Sequence, residues 1–575
     1  MEAEKFREIW WSALQSSPSL EGEEWIRNSY QDVSPFWESL INLQKKLSHL
    51  PPKSVFKESY DFYHDCILRH TESSQAITAI DENGFIQHWN YKKVHRAVNF
   101  QVTSWSKNGV KPGQLIVILL PIGVPFFISL LAALRLGVFF CYLAPGTPYL
   151  SEAYLSSMIH ALKPSWIITQ KKSLNPSLDN YPKVLIESLQ EEDQSHSPAS
   201  YAYPAHQTIQ YSLALHRQIP HCVVPLDAHT TYLHALRDGL LTLNLQSETL
   251  WASTLTCPLR TQPCHTLMAF LSGAAIFHID EKALKESPSL LKNEKLHLLS
   301  LPSTLQRYLL SHPILMEKQL KAYTKSTTTS RTSPWKTFIK VNKLEETPGV
   351  DLLIDNSYGG SLFFSKPALD GQPHFLLPSP GFSWSLKDPQ THEISVLNSF
   401  GYLNPDLPPK ENSQVATNFM IAQIDNHSFI SSTLKPCIDG ITLPIAKIEE
   451  VVSSLPFVEN NLLYSAPKIG EIVSYQTTLI VFTNPLKNNV PAKIKEEWKH
   501  TINQQIIEKI GSAFVPDHIE FYPLSPRLKK DQLDRNWCTA QLTQGLLNKK
   551  RDSQLYQLIS MLKKLSLGER LYESS

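Results

Sequence analysis

An uncharged apolar stretch, Leu115 to Leu134 within LIVILLPIGVPFFISLLAALRLGVFFCY (Leu115–Tyr142), constrains the fold more than any other part of the chain. Its length suits a membrane-spanning helix, which needs about 20 such residues. Pro121, Gly123 and Pro125 break it, however, after six β-favouring residues. A proline inside a helix removes a backbone donor and clashes with the preceding turn. The spacing therefore predicts a strand Leu115–Leu120, a helix from near Pro125 to Arg135–Gly137, and a second strand Val138–Leu143. Proline in the first helical turn and glycine just past the last fit the usual asymmetry of helix ends. A strand that is apolar on both faces belongs in a parallel sheet covered by helices. The stretch thus predicts the core of a soluble α/β domain and no membrane span.

At 575 residues the chain exceeds what one core supports, so two or more domains are expected. Lysine and arginine number 54 against 53 acidic residues, which leaves no global field to favour nucleic acid. Cys66, Cys141, Cys222, Cys257, Cys264, Cys437 and Cys538 are scattered, odd in number and without paired CxxC spacing. That pattern predicts buried thiols in a reducing compartment and no structural metal. The N-terminus, MEAEKFREIWW, is acidic and amphipathic where a secretory signal is basic and then apolar. A cytoplasmic protein is expected.

Residues 1–58 read as an N-terminal helical extension with exposed tryptophans, one helix starting at Ser34-Pro35 before FWESLINLQKKL. In the next part, 59–435, a helix (YDFYHDCILRH), a strand (AITAID), an Asp-Glu-Asn-Gly turn and helix Tyr91–Trp105 lead into the central strand as βαβ units. Glu191–Gln207 and Ser326–Pro334 read as loops. Between them come helix Thr230–Leu241, strand Thr249–Leu255, helix Thr266–Leu271 and strand AAIFHI. Residues 436–545 change to a compact α+β pattern, with helix Lys447–Leu455, strand Thr478–Thr483, helix Ala492–Ile510 and strand His518–Tyr522. In 546–575, Leu555, Leu558, Ile559, Leu562 and Leu565 share one face of a terminal helix.

Three segments in order carry a family resemblance. WNYKKVHRAVNFQVTSWSKNGVKPGQLIVILLPIGVPFFISLLAALRLGVFFCYL, GITLPIAKIEEVVSSLPFVEN and FVPDHIEFYPLSPRLKKDQLDR resemble the adenylate-forming (AMP-binding) superfamily of acyl-CoA synthetases, luciferases and peptide-synthetase adenylation domains. The N-terminal extension ending in a Phe-Trp helix is most similar to the acetyl- and acetoacetyl-CoA synthetase branch. The resemblance spans roughly residues 60 to 540. It implies a large N-terminal α/β domain followed by a small C-terminal α+β domain. It also implies a ligase that uses ATP, magnesium and coenzyme A, with an acyl-AMP intermediate and a rotation of the small domain between half-reactions.

The family's functional positions fit this sequence unevenly. Its glycine-rich phosphate loop, where backbone N–H groups wrap phosphate, falls on Leu213–Cys222 (LALHRQIPHC), which has no Gly, Ser or Thr and leaves only His216, Arg217 and His221 to meet phosphate through side chains. Asn356, Ser357, Tyr358, Gly359, Gly360, Ser361 and Leu362 resemble the Asn-x-Tyr-Gly-x-Thr-Glu motif, whose tyrosine stacks on adenine, whose hydroxyl meets the α-phosphate and whose glutamate binds magnesium. Leu362 supplies no oxygen for a hard cation. A tight turn after a buried strand Leu352–Ile354 explains the same residues without a ligand. The ribose aspartate falls near Asn418-Phe419-Met420, and the charged hinge on Ile430–Leu434 (ISSTL). The catalytic lysine falls on Gln532 of Pro526-Arg527-Leu528-Lys529-Lys530-Asp531-Gln532, with Lys529 and Lys530 as substitutes. His229 and His234 have the wrong spacing for a shared zinc ion.

The reading that follows is a two-domain adenylate-forming fold with an eroded ATP site, a pseudoenzyme that binds a small acyl or nucleotide-like ligand or regulates a protein partner. The alternatives are a working AMP-forming acyl-CoA synthetase using Tyr358, Ser361, Arg217 and Lys529 or Lys530, and a purely structural or interaction protein. Apolar side chains filling the space around Tyr358 would count against the working enzyme.

Overall fold

The computed structural model describes residues 28–30, 32–46, 50–170, 176–186, 199–213, 223–253, 258–292, 294–301, 305, 308–310, 320–325, 333–365, 369, 376–381, 383–387, 400–406, 419–424, 427–433, 435–438, 440–467, 474–483, 491–522, 528–529 and 532–533. The apolar stretch folds as strand Leu115–Leu119, helix Val124–Leu136 and strand Phe139–Tyr142. Gly137 ends the helix at a φ of 77°, its N–H donating to the Ala133 carbonyl. Every residue from Phe126 to Leu136 is buried, and Arg135 stays inside by lying 4.8 Å above the Tyr63 ring. Such all-round burial explains the missing polar face. Among the described residues no helix is long and apolar enough to cross a membrane.

The two strands pair in parallel at the middle of a six-stranded sheet. Across it run Val223–Asp227, Thr208–Leu213, Phe139–Tyr142, Leu115–Leu119, Trp166–Thr169 and Lys183–Leu185. A second sheet of thirteen strands has two halves. In one, Ala275–Ile279, Leu250–Ala252, Leu298–Leu301, Ala322–Lys325 and Gly349–Asp355 run parallel. In the other, Gly360–Ser365 opens an antiparallel run through Leu376–Pro378, His427–Thr433, Phe419–Ile424, Phe400–Asp406 and Ser383–Lys387.

Two expectations need correction. Gln75–Ile80 does not pair with the central strand. It lies parallel to Ala275–Ile279 and antiparallel to Ile86–Asn90 in the second sheet. Helix Tyr91–Lys107 therefore passes from one sheet to the other instead of closing a βαβ unit, because adjacency in sequence only favours adjacency in space. The N-terminal tryptophan within the described residues, Trp37, is buried rather than exposed. Helix Val33–Lys46 inserts it so that Nε1 donates to the Gly381 carbonyl at 3.1 Å while the ring stacks on His234 at 5.8 Å. Trp10, Trp11 and Trp25 lie outside the described residues, as does the terminal helix expected in 546–575. Residues 191–198 and 326–332 of the two expected loops also lie outside them, and helix Ser333–Val341 begins inside the second.

One apolar core joins both sheets, with Ile116 and Val117 from the first, Ile77 and Ile276 from the second, and Val98, Phe127, Leu233 and Met268 from the helices between. Its polar anchor is Asp65, fully buried. This carboxylate accepts from the Lys53 N–H at 2.8 Å, the Tyr232 hydroxyl at 2.7 Å, His64 Nδ1 at 2.8 Å and both the N–H and hydroxyl of Ser54. Tyr232 Oη also receives an N–H from Gln44, so the node ties the N-terminal helix to helix Ala228–Arg237.

The small C-terminal α+β domain places helices Ile445–Ser453 and Ala492–Lys509 with a sheet of Asn460–Pro467, Tyr475–Phe482 and His518–Tyr522. Ile502 and Ile506, one turn apart on the longer helix, face its interior.

Candidate functional site

Strand Gly349–Asp355 delivers the chain into a single 3-10 turn, Asn356–Tyr358, and strand Gly360–Ser365 takes it back. Asp355 caps the turn, accepting from the Ser357 N–H at 2.9 Å and its hydroxyl at 2.6 Å. Gly359 closes it at a φ of 73°, in the left-handed region that side chains disfavour. A Cβ there would meet nothing nearer than Leu226 at 3.5 Å, so the constraint is backbone conformation and not space. Gly359→Ala is expected to cost about 1–2 kcal/mol, read as a shift in urea midpoint, with Gly359→Asn costing less.

The turn is gripped from both sides. Asn356 donates through Nδ2 to the carbonyls of Leu259, at 3.1 Å, and Gln262. His234 Nδ1 donates to the Tyr358 carbonyl at 2.9 Å. Burial, reinforced by the neighbouring Arg237 charge, lowers the His234 pKa to about 3, so the ring is neutral near pH 7. Gly360 has no room for a side chain, since a Cβ would lie 2.7 Å from His234 Cβ and 2.9 Å from Asp238 Oδ2.

Beneath the turn sits an ion pair with no exposure on either side chain, Arg237 Nε to Asp238 Oδ1 at 2.7 Å. Its remaining polar capacity is spent on the motif and the segment beside it. Asp238 accepts the Ser361 N–H and the Ser361 hydroxyl, each at 2.6 Å. Arg237 donates to the Ser361 carbonyl at 2.8 Å and to the Pro380 carbonyl at 2.9 Å. Ser361 Oγ also lies 2.8 Å from Ser379 Oγ. Desolvated charges need this degree of satisfaction. Gly239 follows because a Cβ there would meet the Met268 carbonyl at 2.7 Å.

Tyr358 is 2 % exposed and Leu362 1 %. Both belong to a contiguous apolar cluster with Leu353, Phe363, Leu386 and Ile421 of the large domain and Cys437 and Tyr475 beyond residue 435. The structure thus brings Asn356, Ser357, Tyr358, Gly359 and Ser361 together as one closed knot. Arg217, His216, His221, Lys530 and Asn418 lie outside the described residues. Phe419 and Met420 pair with Thr433 and Ser432, so the positions matching the ribose turn and the hinge are partners in one ladder. Lys529 and Gln532 face each other across a short antiparallel pairing. Among the described residues no group of His, Cys, Asp and Glu is arranged to hold a metal ion.

Arg237, Asp238 and Ser379 were not among the residues singled out from sequence, and His234 was weighed there only as a zinc ligand with His229. The available signal was an adjacent Arg-Asp pair inside the otherwise apolar run YLHALRDGLLTL.

No protein-family model matches the chain, and no curated protein matches it in sequence. Solved structures do match. A fatty acyl-adenylate ligase from L. pneumophila, in complex with acyl adenylate and pyrophosphate, is 14 % identical with a TM-score of 0.58, covering 84 % of this chain and 96 % of its own. The o-succinylbenzoate CoA synthetase from Bacillus subtilis is 12 % identical with a TM-score of 0.63, covering 83 % and 97 %. An acyl-CoA synthetase from Brucella canis is 14 % identical with a TM-score of 0.56, covering 90 % and 99 %. The chain therefore has the fold of the adenylate-forming ligases.

Proposed function

We propose that this chain is a pseudoenzyme on the adenylate-forming fold, inactive in ATP-dependent ligation and retained for binding a small acyl or nucleotide-like ligand or for regulating a protein partner. The observation that carries this reading is the state of the Asn356–Leu362 turn. A tyrosine that stacks on adenine needs an open face, and Tyr358 is packed into an apolar cluster. A hydroxyl that meets a phosphate needs free capacity, and the Ser361 hydroxyl is engaged by Asp238, Arg237 and Ser379. Leu362 stands where magnesium would need a carboxylate. Opening the turn to a nucleotide would strip partners from a buried charge pair, at a cost of several kcal/mol.

Thermal unfolding with millimolar MgATP, with coenzyme A and with short-chain acyl-AMP analogues tests the proposal. A ligand at about a hundred times its Kd stabilises the native state by about 2.7 kcal/mol, an easily measured shift. We expect none with MgATP. A shift that vanishes in Tyr358→Ala would instead support the working synthetase, with ATP, magnesium and coenzyme A as its cofactors.

A further inference from the structure

We propose that the small domain of this chain is permanently docked on the large one, held at two separated seams, and does not rotate. This restraint acts on the motion of the whole chain and holds whether or not the Asn356–Leu362 turn admits a nucleotide.

The first seam is a backbone junction. The Ser151 N–H donates to the Ile510 carbonyl at 3.0 Å, and the Ala513 N–H returns a bond to the Pro148 carbonyl at 2.6 Å. Ser151 is also the cap of helix Glu152–Leu162, its hydroxyl accepting the Tyr154 N–H, so the junction is built into a helix start. Gly511 lies between the two bonds at a φ of 154°. A Cβ on it would stand 2.8 Å from the Pro148 carbonyl oxygen and 3.0 Å from the Tyr149 carbonyl carbon. Backbone against backbone at this separation admits only glycine. Tyr149 and Phe514 close the side of the seam edge-on, with ring centroids 6.2 Å apart.

The second seam is at the turn. Cys437 and Tyr475 belong to the apolar cluster around Tyr358, and Gly440, at a φ of 80°, lies so close to Arg260 that a Cβ would be 2.5 Å from its Nη1. These contacts involve the start of the small domain and its strand Tyr475–Phe482, whereas the first seam involves the end of its long helix and the turn after it. A rotation about the segment before Cys437 would have to break both backbone bonds of the first seam and withdraw Tyr475 from the apolar cluster. The segment that would have to flex adds to the restraint, because the ladder between His427–Thr433 and Phe419–Ile424 runs to Thr433.

Hydrogen exchange on the full chain, with and without MgATP and coenzyme A, tests this directly. If the domains never separate, the seam amides open only when the whole protein does. The amides of Ser151 and Ala513 should then exchange within about tenfold of the core amides of Val117 and Ile480, and added nucleotide should leave that ratio unchanged. Gly511→Val should speed Ser151 and Ala513 by more than tenfold while Val117 and Ile480 keep step with each other; if that variant does not fold, Phe514→Ala serves the same purpose. Seam amides of the unmodified protein exchanging more than about tenfold faster than both cores would overturn the proposal, as would an unchanged seam in a folded Gly511→Val. A chain that gains thermal stability from MgATP yet keeps its seam protected would sink the inactive-site reading and leave the docking intact.

Discussion

Asp238→Ala should destabilise the protein by roughly 3–5 kcal/mol, the usual consequence of leaving one member of a buried ion pair alone. Both side chains are fully buried, so no water takes over the lost contacts of Arg237. The Ser361 N–H and hydroxyl lose their acceptor in the same step. The loss should appear as a fall in urea midpoint with little change in the denaturant slope, since the surface exposed on unfolding is unaltered. Replacing both charges, as in Arg237→Met with Asp238→Leu, should recover part of the loss by removing the isolated cation. A single Asp238→Ala that is neutral would mean that the pair is not the clamp described.

Asp65→Ala should have an effect of similar size. Burial alone would raise the pKa of this carboxyl, but hydrogen bonds from His64, Ser54, Tyr232 and the Lys53 N–H outweigh it and hold the pKa below the usual aspartate value of 3.8. Removing the carboxylate strands these donors inside the core, where an unmet charge-assisted partner costs on the order of 3 kcal/mol. The sign of the pH effect follows. With its folded pKa below its unfolded one, Asp65 contributes its full stabilisation above the unfolded value and loses it as the pH falls through the folded value. Buried neutral histidines such as His234 already cost stability as the pH falls below about 6.5. The share due to Asp65 should be lost from about pH 4 downward, and Asp65→Asn should flatten that lower part of the profile. An identical acid limb in the variant would show that other groups set it.

How legible these features were differs from segment to segment. Leu115–Tyr142 could be read because its proline and glycine positions leave one arrangement of strand, turn and helix, and the long helix at 492–509 because its length exceeds any strand. The antiparallel strands between Gly360 and Thr433 were not anticipated. Their pairing is non-local, as where Leu376–Pro378 meets His427–Thr433 across some fifty residues, and local pattern carries little trace of such partners. At Asn356–Leu362 both a ligand-binding reading and a tight-turn reading were available from sequence, and the turn is present. What decides between its open and closed forms is Asp238, which is 123 positions from Ser361. Arg237-Asp238 looks like a solvated pair until both neighbours turn out to be buried.

The burial of Leu362 also bears on how such a chain can change over generations. Introducing a glutamate there in one step would place a carboxylate in a cluster of Tyr358, Phe363, Cys437 and Tyr475, and an unpaired buried charge is among the few single changes that unfold marginally stable proteins. Such a change would be selected against before the new carboxylate could be of use, unless the surrounding apolar residues had already changed. Packing this close around Leu362 thereby acts as a ratchet. Sequences descended from this one can explore new surfaces, but a charged side chain at position 362 lies behind several substitutions that are each harmful alone.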